Sequence, residues 1–178
     1  MAGKKRWVGL ASIQYGPVAL HSVAVYIPST LTEITFIKPG TARAFVELPE
    51  SKKLYTENSA IADLDLPVGE NSAQIEFATV DMDQNLLVLA FGGSTSGTVY
   101  AFPTTASQII QRAIIGTTKE IDGTAFQIQI PNAIVRGNVD LPLANNDPEA
   151  GEIGFVFAMS QAQTTAGTAV APFRLVSL

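Results

Sequence analysis

Apolar and polar residues alternate along most of this chain, and a helical period interrupts the alternation once. In residues 31–38, Leu31, Glu33, Thr35 and Ile37 alternate with Thr32, Ile34, Phe36 and Lys38, the period of a two-faced strand. Residues 41–48 alternate again. Pro39-Gly40 lies between the two runs as a turn signal, so the pair is expected to form a hairpin. Residues 18–27 are expected as the first strand, closed by Pro28-Ser29-Thr30. Residues 49–60 are polar and without period, and read as a long loop. Residues 61–66 make a short strand with Asp63 and Asp65 on one side, ended by Pro67-Val68-Gly69. Residues 72–79 place Ala73, Ile75, Phe77 and Thr79 on one face and Gln74, Glu76 and Ala78 on the other.

Further along, Ser94 to Gly97 read as a flexible link, and residues 98–102 as a strand stopped by Pro103. Residues 111–121 and 124–130 flank Asp122-Gly123, a strong hairpin signal between alternating runs. Residues 133–143 continue as a strand, and 145–151 are a turn. Residues 152–160 give the last core strand, with Ile153, Phe155, Phe157 and Met159 inward. Residues 161–171 are small and polar, and 173–178 are a terminal strand or a docked tail.

The interruption is the stretch from Val80 to Gly93. Met82, Leu86, Leu89 and Ala90 recur at helical spacing and make one apolar face. Asp81 is placed to cap the helix, with Gln84 three residues on as the far arm of a capping box. Asp81 and Asp83 put negative charge at the positive end of the helix dipole. Gly92 and Gly93 can take the left-handed conformation that ends a helix. Leu86 to Phe91 is apolar on all sides, so neighbouring sheets must cover it. The expected fold class is mostly β: an antiparallel β-sandwich or barrel with one flanking α-helix at about residues 81–91.

The 178 residues suit one domain with a substantial core. The expected organisation is an N-terminal arm over residues 1–17 and a single domain over 18–178, with the loop near 49–60. Charged residues make up only 15% of the chain against 47% hydrophobic, where ~25% charged is usual. Such a surface is expected to be covered, most simply by further copies of the chain. The net charge is −5. Between Leu54 and Gln111 there is no Lys or Arg, while Glu57, Asp63, Asp65, Glu70, Glu76, Asp81 and Asp83 all fall there. An acidic body argues against a protein that grips nucleic acid. Lys4, Lys5 and Arg6 form a basic tip that reads as a short solvated tail. No apolar run approaches the ~20 residues that span a bilayer, and Ser12, Gln14, Gly16 and Pro17 break any signal-peptide core.

The residue types offer little chemistry. Cysteine is absent and His21 is the only histidine, which leaves no thiolate and no zinc set. Gly93-Ser94-Thr95-Ser96-Gly97 is centred on threonine and follows a helix, so it is not a nucleophile elbow. Asp81-Met82-Asp83 opens like a calcium loop, but Leu86 and Gly92 stand where that loop needs glycine and glutamate. Asp63 and Asp65 read as a solvated face. No catalytic, cofactor-binding or metal-binding residue is assigned, and an enzyme is not expected.

The segment Ala73-Gln74-Ile75-Glu76-Phe77, followed by Val80 to Gly93, resembles a region of bacteriophage major tail tube proteins. There a strand ends in a short acidic turn, an Asn-Leu pair opens a helix, and small residues close it. Gly123 to Ala133, with its Ile130-Pro131-Asn132-Ala133, is similar to the family's strand ending in I-P-x-A, and Glu152 to Met159 resembles its last core strand. The resemblance covers about residues 72–160. It implies hexameric rings that stack into a hollow tube, with DNA passing through and not bound specifically. The partners are then copies of the chain and other tail proteins, without membrane or small-molecule substrate. The location is the virion tail, after synthesis in the host bacterial cytoplasm. The arm and the 49–60 loop become candidates for contacts between rings, which singles out Trp7, Lys52, Lys53 and Tyr55. The alternatives are another phage-derived part (the tube of an injection machine, a head-decoration or tail-completion protein) or a non-enzymatic β-sandwich binding module.

Overall fold

The computed structural model describes residues 9–18, 27–47, 50–54, 64–68, 72–104, 109–120, 123–142, 151–160, 162–163 and 169–178. Among the described residues, much of the alternation becomes strand. In chain order the elements are β1 (Leu10–Gly16), β2 (Thr32–Ile34), β3 (Arg43–Glu47), β4 (Glu50–Leu54), β5 (Leu64–Val68), β6 (Ser72–Thr79), α1 (Gln84–Phe91), β7 (Ser94–Ser96) and β8 (Val99–Ala101). They continue with β9 (Ile110–Thr118), β10 (Phe126–Asp140), β11 (Glu152–Met159), β12 (Ala162–Gln163), β13 (Ala169–Val170) and β14 (Arg174–Ser177). One eight-stranded antiparallel sheet runs β2-β1-β9-β10-β11-β6-β3, with β14 also on β10. β4–β5, β7–β8 and β12–β13 are separate two-stranded pairs. The fold is mostly β with one short helix, as expected, and the sheet does not close into a barrel.

The sheet is rolled, and its inner face holds the core. β9 and β6 are separated by two strands in the sheet, yet a Cβ placed on Gly116 would lie 3.5 Å from Ile75 Cδ1. Of the expected inward set of β6 and β11, Ala73, Ile75, Phe77, Thr79, Ile153, Phe155 and Phe157 are buried, while Met159 is only half-buried. Phe77 stacks on Phe155 and Phe157 with ring centroids 5.2 and 5.9 Å apart. Burying an aromatic or large aliphatic side chain contributes about 1.5–3 kcal/mol, so this floor is a main source of stability. β9 is buried on both faces, with Ala113, Ile114 and Ile115 all buried.

The two runs at 124–130 and 133–143 are joined in one long strand, β10. Ile130 pairs with Ile114 and Ala133 with Arg112, so β10 carries one extra residue there. That bulge accommodates Pro131, which has no N–H for a regular ladder. It is also a fork. β9 pairs with one side of β10 from residue 127 to residue 135, while the other side pairs with β14 at residues 126–129 and with β11 at 133–140. The Ser160 N–H donates to the Asn132 carbonyl at 2.8 Å and fixes the branch point.

Several expectations are corrected. Residues 10–16 are not part of an arm; they form β1, which pairs with β9 and β2. Pro17 and Val18 are not strand, and most of the strand expected at 18–27 lies outside the described residues. The 49–60 loop contains β4, which forms a hairpin with β5; polar ESKKL has no apolar face to reveal it. Pro67 lies within β5 instead of ending it. The 94–97 link contains β7, the partner of β8. The turn at 145–151 falls outside the described residues except for Gly151. Residues 173–178 take the strand option, as β14 on β10.

Candidate assembly surface

The helix that sets one end of this surface begins later than the acids suggest. Asp83, not Asp81, is the N-cap, its carboxylate accepting from the Asn85 N–H. Gln84 is therefore the first helical residue and no capping box forms. The physical reason is a tertiary competitor. Thr35 Oγ1 donates to Asp81 Oδ2 at 3.0 Å, and the Asp81 N–H donates to Thr79 Oγ1 at 3.1 Å, so Asp81 is held by the strands. Met82 precedes the helix and is exposed; it is not a packing residue. Leu86, Leu89 and Ala90 are buried as expected. Gly92 ends the helix with φ 76°, its N–H donating to the Val88 carbonyl at 2.8 Å. The helix sits close on β10: a Cβ on Gly137 would lie 2.9 Å from Ala90 Cα.

The Pro39-Gly40 turn does not make the expected hairpin. β3 pairs with β6, not with β2. The chain leaves β2 at Ile34, crosses at Thr35-Phe36, and continues along the outer side of β6. The Val80 N–H donates to the Phe36 carbonyl, Ile37 bridges Thr79, and the Lys38 N–H donates to the Ala78 carbonyl. The two terminal strands of the sheet are thus consecutive in the chain, and Thr35-Phe36 spans the seam between them. Phe36 has φ 53° and its side chain is 72% exposed, a rare conformation for a bulky residue.

Threonine hydroxyls hold this seam. Thr79 is fully buried, and its single hydroxyl proton is shared between the carbonyls of Thr35 at 2.9 Å and Phe36 at 3.2 Å. Thr41 Oγ1 donates to the Lys38 carbonyl at 2.7 Å and accepts from the Ala78 N–H at 3.0 Å. The Pro39-Gly40-Thr41 excursion is therefore a pinned bulge on the edge of β6. Lys38 Nζ reaches across β6 to Glu152 Oε2 at 2.6 Å. With both side chains partly exposed, that pair contributes at most about 1 kcal/mol.

Beyond the bulge, β3 is the last strand of the sheet, and its outer side has no partner among the described residues. Arg43 to Val46 are all exposed, with Phe45 at 37% and Val46 at 52%. A second exposed apolar group lies past the helix. Phe102 packs against Phe91 and Tyr100 at 5.4 and 4.9 Å between centroids, while Val99 is open to solvent. Tyr100 Oη donates to the Gly92 carbonyl at 2.8 Å, and burial raises its pKa above the ordinary value. Near the helix start, burial also raises the Tyr15 phenol; the Arg112 guanidinium opposes that rise and the Asp83 carboxylate adds to it.

Of the residues proposed for assembly, Lys52 and Lys53 lie on β4, opposite Leu66 and Asp65 in register. Trp7 and Tyr55 lie outside the described residues, as does His21. Among the described residues, β4 pairs with β5 and not with β3. Sequence reasoning missed Thr35, Phe36, Thr41 and Thr79, because their partners lie tens of residues away, and missed the free edge, because β3 looked like half of a hairpin. Among the described residues no group of three or more His, Cys, Asp or Glu is arranged to hold a metal ion, and no helix is long and apolar enough to cross a membrane. No protein-family model matches the chain, and no curated protein matches it in sequence.

Proposed function

We propose that this chain is a structural subunit of a phage tail that assembles with itself into stacked hexameric rings. The rings form a hollow tube, and DNA passes through it without specific binding. The observation that carries this reading is the unclosed sheet, whose last strand presents Phe45 and Val46 on an edge with no partner among the described residues. An exposed apolar edge is an aggregation hazard on a monomer and a joining device in an assembly. Neighbours in a ring would complete the sheet, as closure does in a barrel. The low charge fraction fits a surface covered by copies, and the acid excess fits a conduit that repels phosphate. The block that carries the family resemblance runs, in chain order, through β6, an acidic turn and α1, which ends at Gly92.

Negative-stain microscopy of the purified protein tests the reading. Rings or tubes of uniform bore are expected, with sixfold symmetry in end views. A monodisperse monomer at high concentration, with no rings or tubes on the grid, would overturn it.

A further inference from the structure

The residues of β3 read Arg43-Ala44-Phe45-Val46-Glu47, and in an antiparallel pair that order is complementary to itself. We infer that the free edge of β3 pairs with β3 of a second copy, antiparallel and centred on Phe45, to give a two-fold symmetric dimer. The pairing sets position 43 of each copy opposite position 47 of the other, a positive residue against a negative one, twice. Ala44 falls opposite Val46, and Phe45 meets its symmetry mate on the axis. Opposite charges and aromatic pairs directly across an antiparallel ladder are favourable, and like charges there are unfavourable.

Three features of the edge point the same way. β3 has no proline and no bulge within it, the devices that usually blunt an edge. Its charges stand only at its two ends, leaving Phe45 and Val46 in the middle and exposed. A two-fold contact satisfies both copies with one patch and closes on itself, whereas a ring needs a head-to-tail contact. The dimer is thus a form distinct from the tube, and it occupies the edge that a growing ring would use. The inference does not depend on the tube reading.

Charge reversal tests the pairing. Sedimentation velocity on the full chain, from low micromolar concentration upward, is expected to show a dimer in equilibrium with the monomer at concentrations below those at which rings or tubes form. Arg43→Glu and Glu47→Arg alone should each weaken dimerisation by about tenfold, since each turns two attractive cross-strand pairs into repulsive ones. The double variant Arg43→Glu/Glu47→Arg should restore it. Within one copy Arg43 faces Glu76, and Glu47 faces Ser72, so a loss caused by the carboxylate that Arg43→Glu sets opposite Glu76 would not be repaired by changing residue 47. Circular dichroism of each variant should match the parent, because Arg43 is exposed at the sheet edge. A chain that stays monomeric over the whole range overturns the inference, as does a double variant no better than the singles. Tubes in the microscope combined with absence of rescue would leave the tube reading standing and remove this one.

Discussion

The floor of the core and the seam of the sheet hold the same chain together by opposite means. The floor, where α1, β6, β10 and β11 meet, is apolar and period-driven. Phe77 stacks on Phe155 and Phe157, and Leu86 and Leu89 of the helix belong to the same buried cluster. The seam at Thr35-Phe36 is polar and idiosyncratic. Two threonine hydroxyls substitute for ladder bonds, and one exposed phenylalanine is held in a rare backbone state. The contrast shows that rolling a sheet is a matter of apolar patterning, while bringing its two ends together depends on a few hydrogen bonds between distant residues. Damage should therefore scale differently in the two regions.

The largest effect is expected on the floor. Leu86→Asp places a carboxylate on the buried face of the helix. Burying an unpaired charge costs several kcal/mol, comparable with the ~5–15 kcal/mol total stability of a typical domain. No folded protein is expected, which urea titration or circular dichroism would report. A Leu86→Asp variant with the parent's unfolding midpoint would show that the helix is not packed as described.

This is also the region that was legible. The residues of β6, β11 and α1 announce themselves because burial imposes a period of two or of about 3.6, and apart from Ala78 the buried set of β6 and β11 follows the alternation. Legibility ends where a tertiary bond decides. Asp81 and Asp83 are equally good caps in isolation, and only the Thr35 hydroxyl on Asp81 settles which one serves. Pro39-Gly40 looks like a hairpin turn, and only the bonds from Thr41 to Ala78 and Lys38 show it to be a bulge on β6. β4 carries no apolar pattern because its sequence is polar on both faces. The candidate surface was less legible than the fold for the same reason: a free edge is defined by which strand pairs with which.

An intermediate effect is expected at the seam. Thr79→Val keeps the shape of the side chain and removes the hydroxyl, leaving the Thr35 and Phe36 carbonyls and the Asp81 N–H without this partner. Buried groups left unsatisfied cost about 1–3 kcal/mol. A fall in thermal midpoint is expected without loss of folding. Hydrogen exchange should rise at Val80, whose N–H bonds the Phe36 carbonyl, before it rises at β11. Equal acceleration at both sites would mean that seam and floor unfold as one unit, and the distinction between them would fail.

The smallest effect is expected to have the opposite sign. Phe36 sits at φ 53° with most of its side chain in solvent. A non-glycine residue held in such a conformation costs about 1–3 kcal/mol, and an exposed ring recovers little of that by burial. Glycine takes positive φ without the steric penalty, but it loses more backbone entropy on folding, by about 0.5–1 kcal/mol. Phe36→Gly should therefore stabilise the isolated chain slightly, by up to about 1 kcal/mol, read as a raised unfolding midpoint in denaturant. If it destabilises instead, the ring contributes contacts that outweigh the backbone strain, and the seam is held by packing as well as by hydroxyls. If stability rises while ring or tube formation falls, the strain is retained for what Phe36 does between copies.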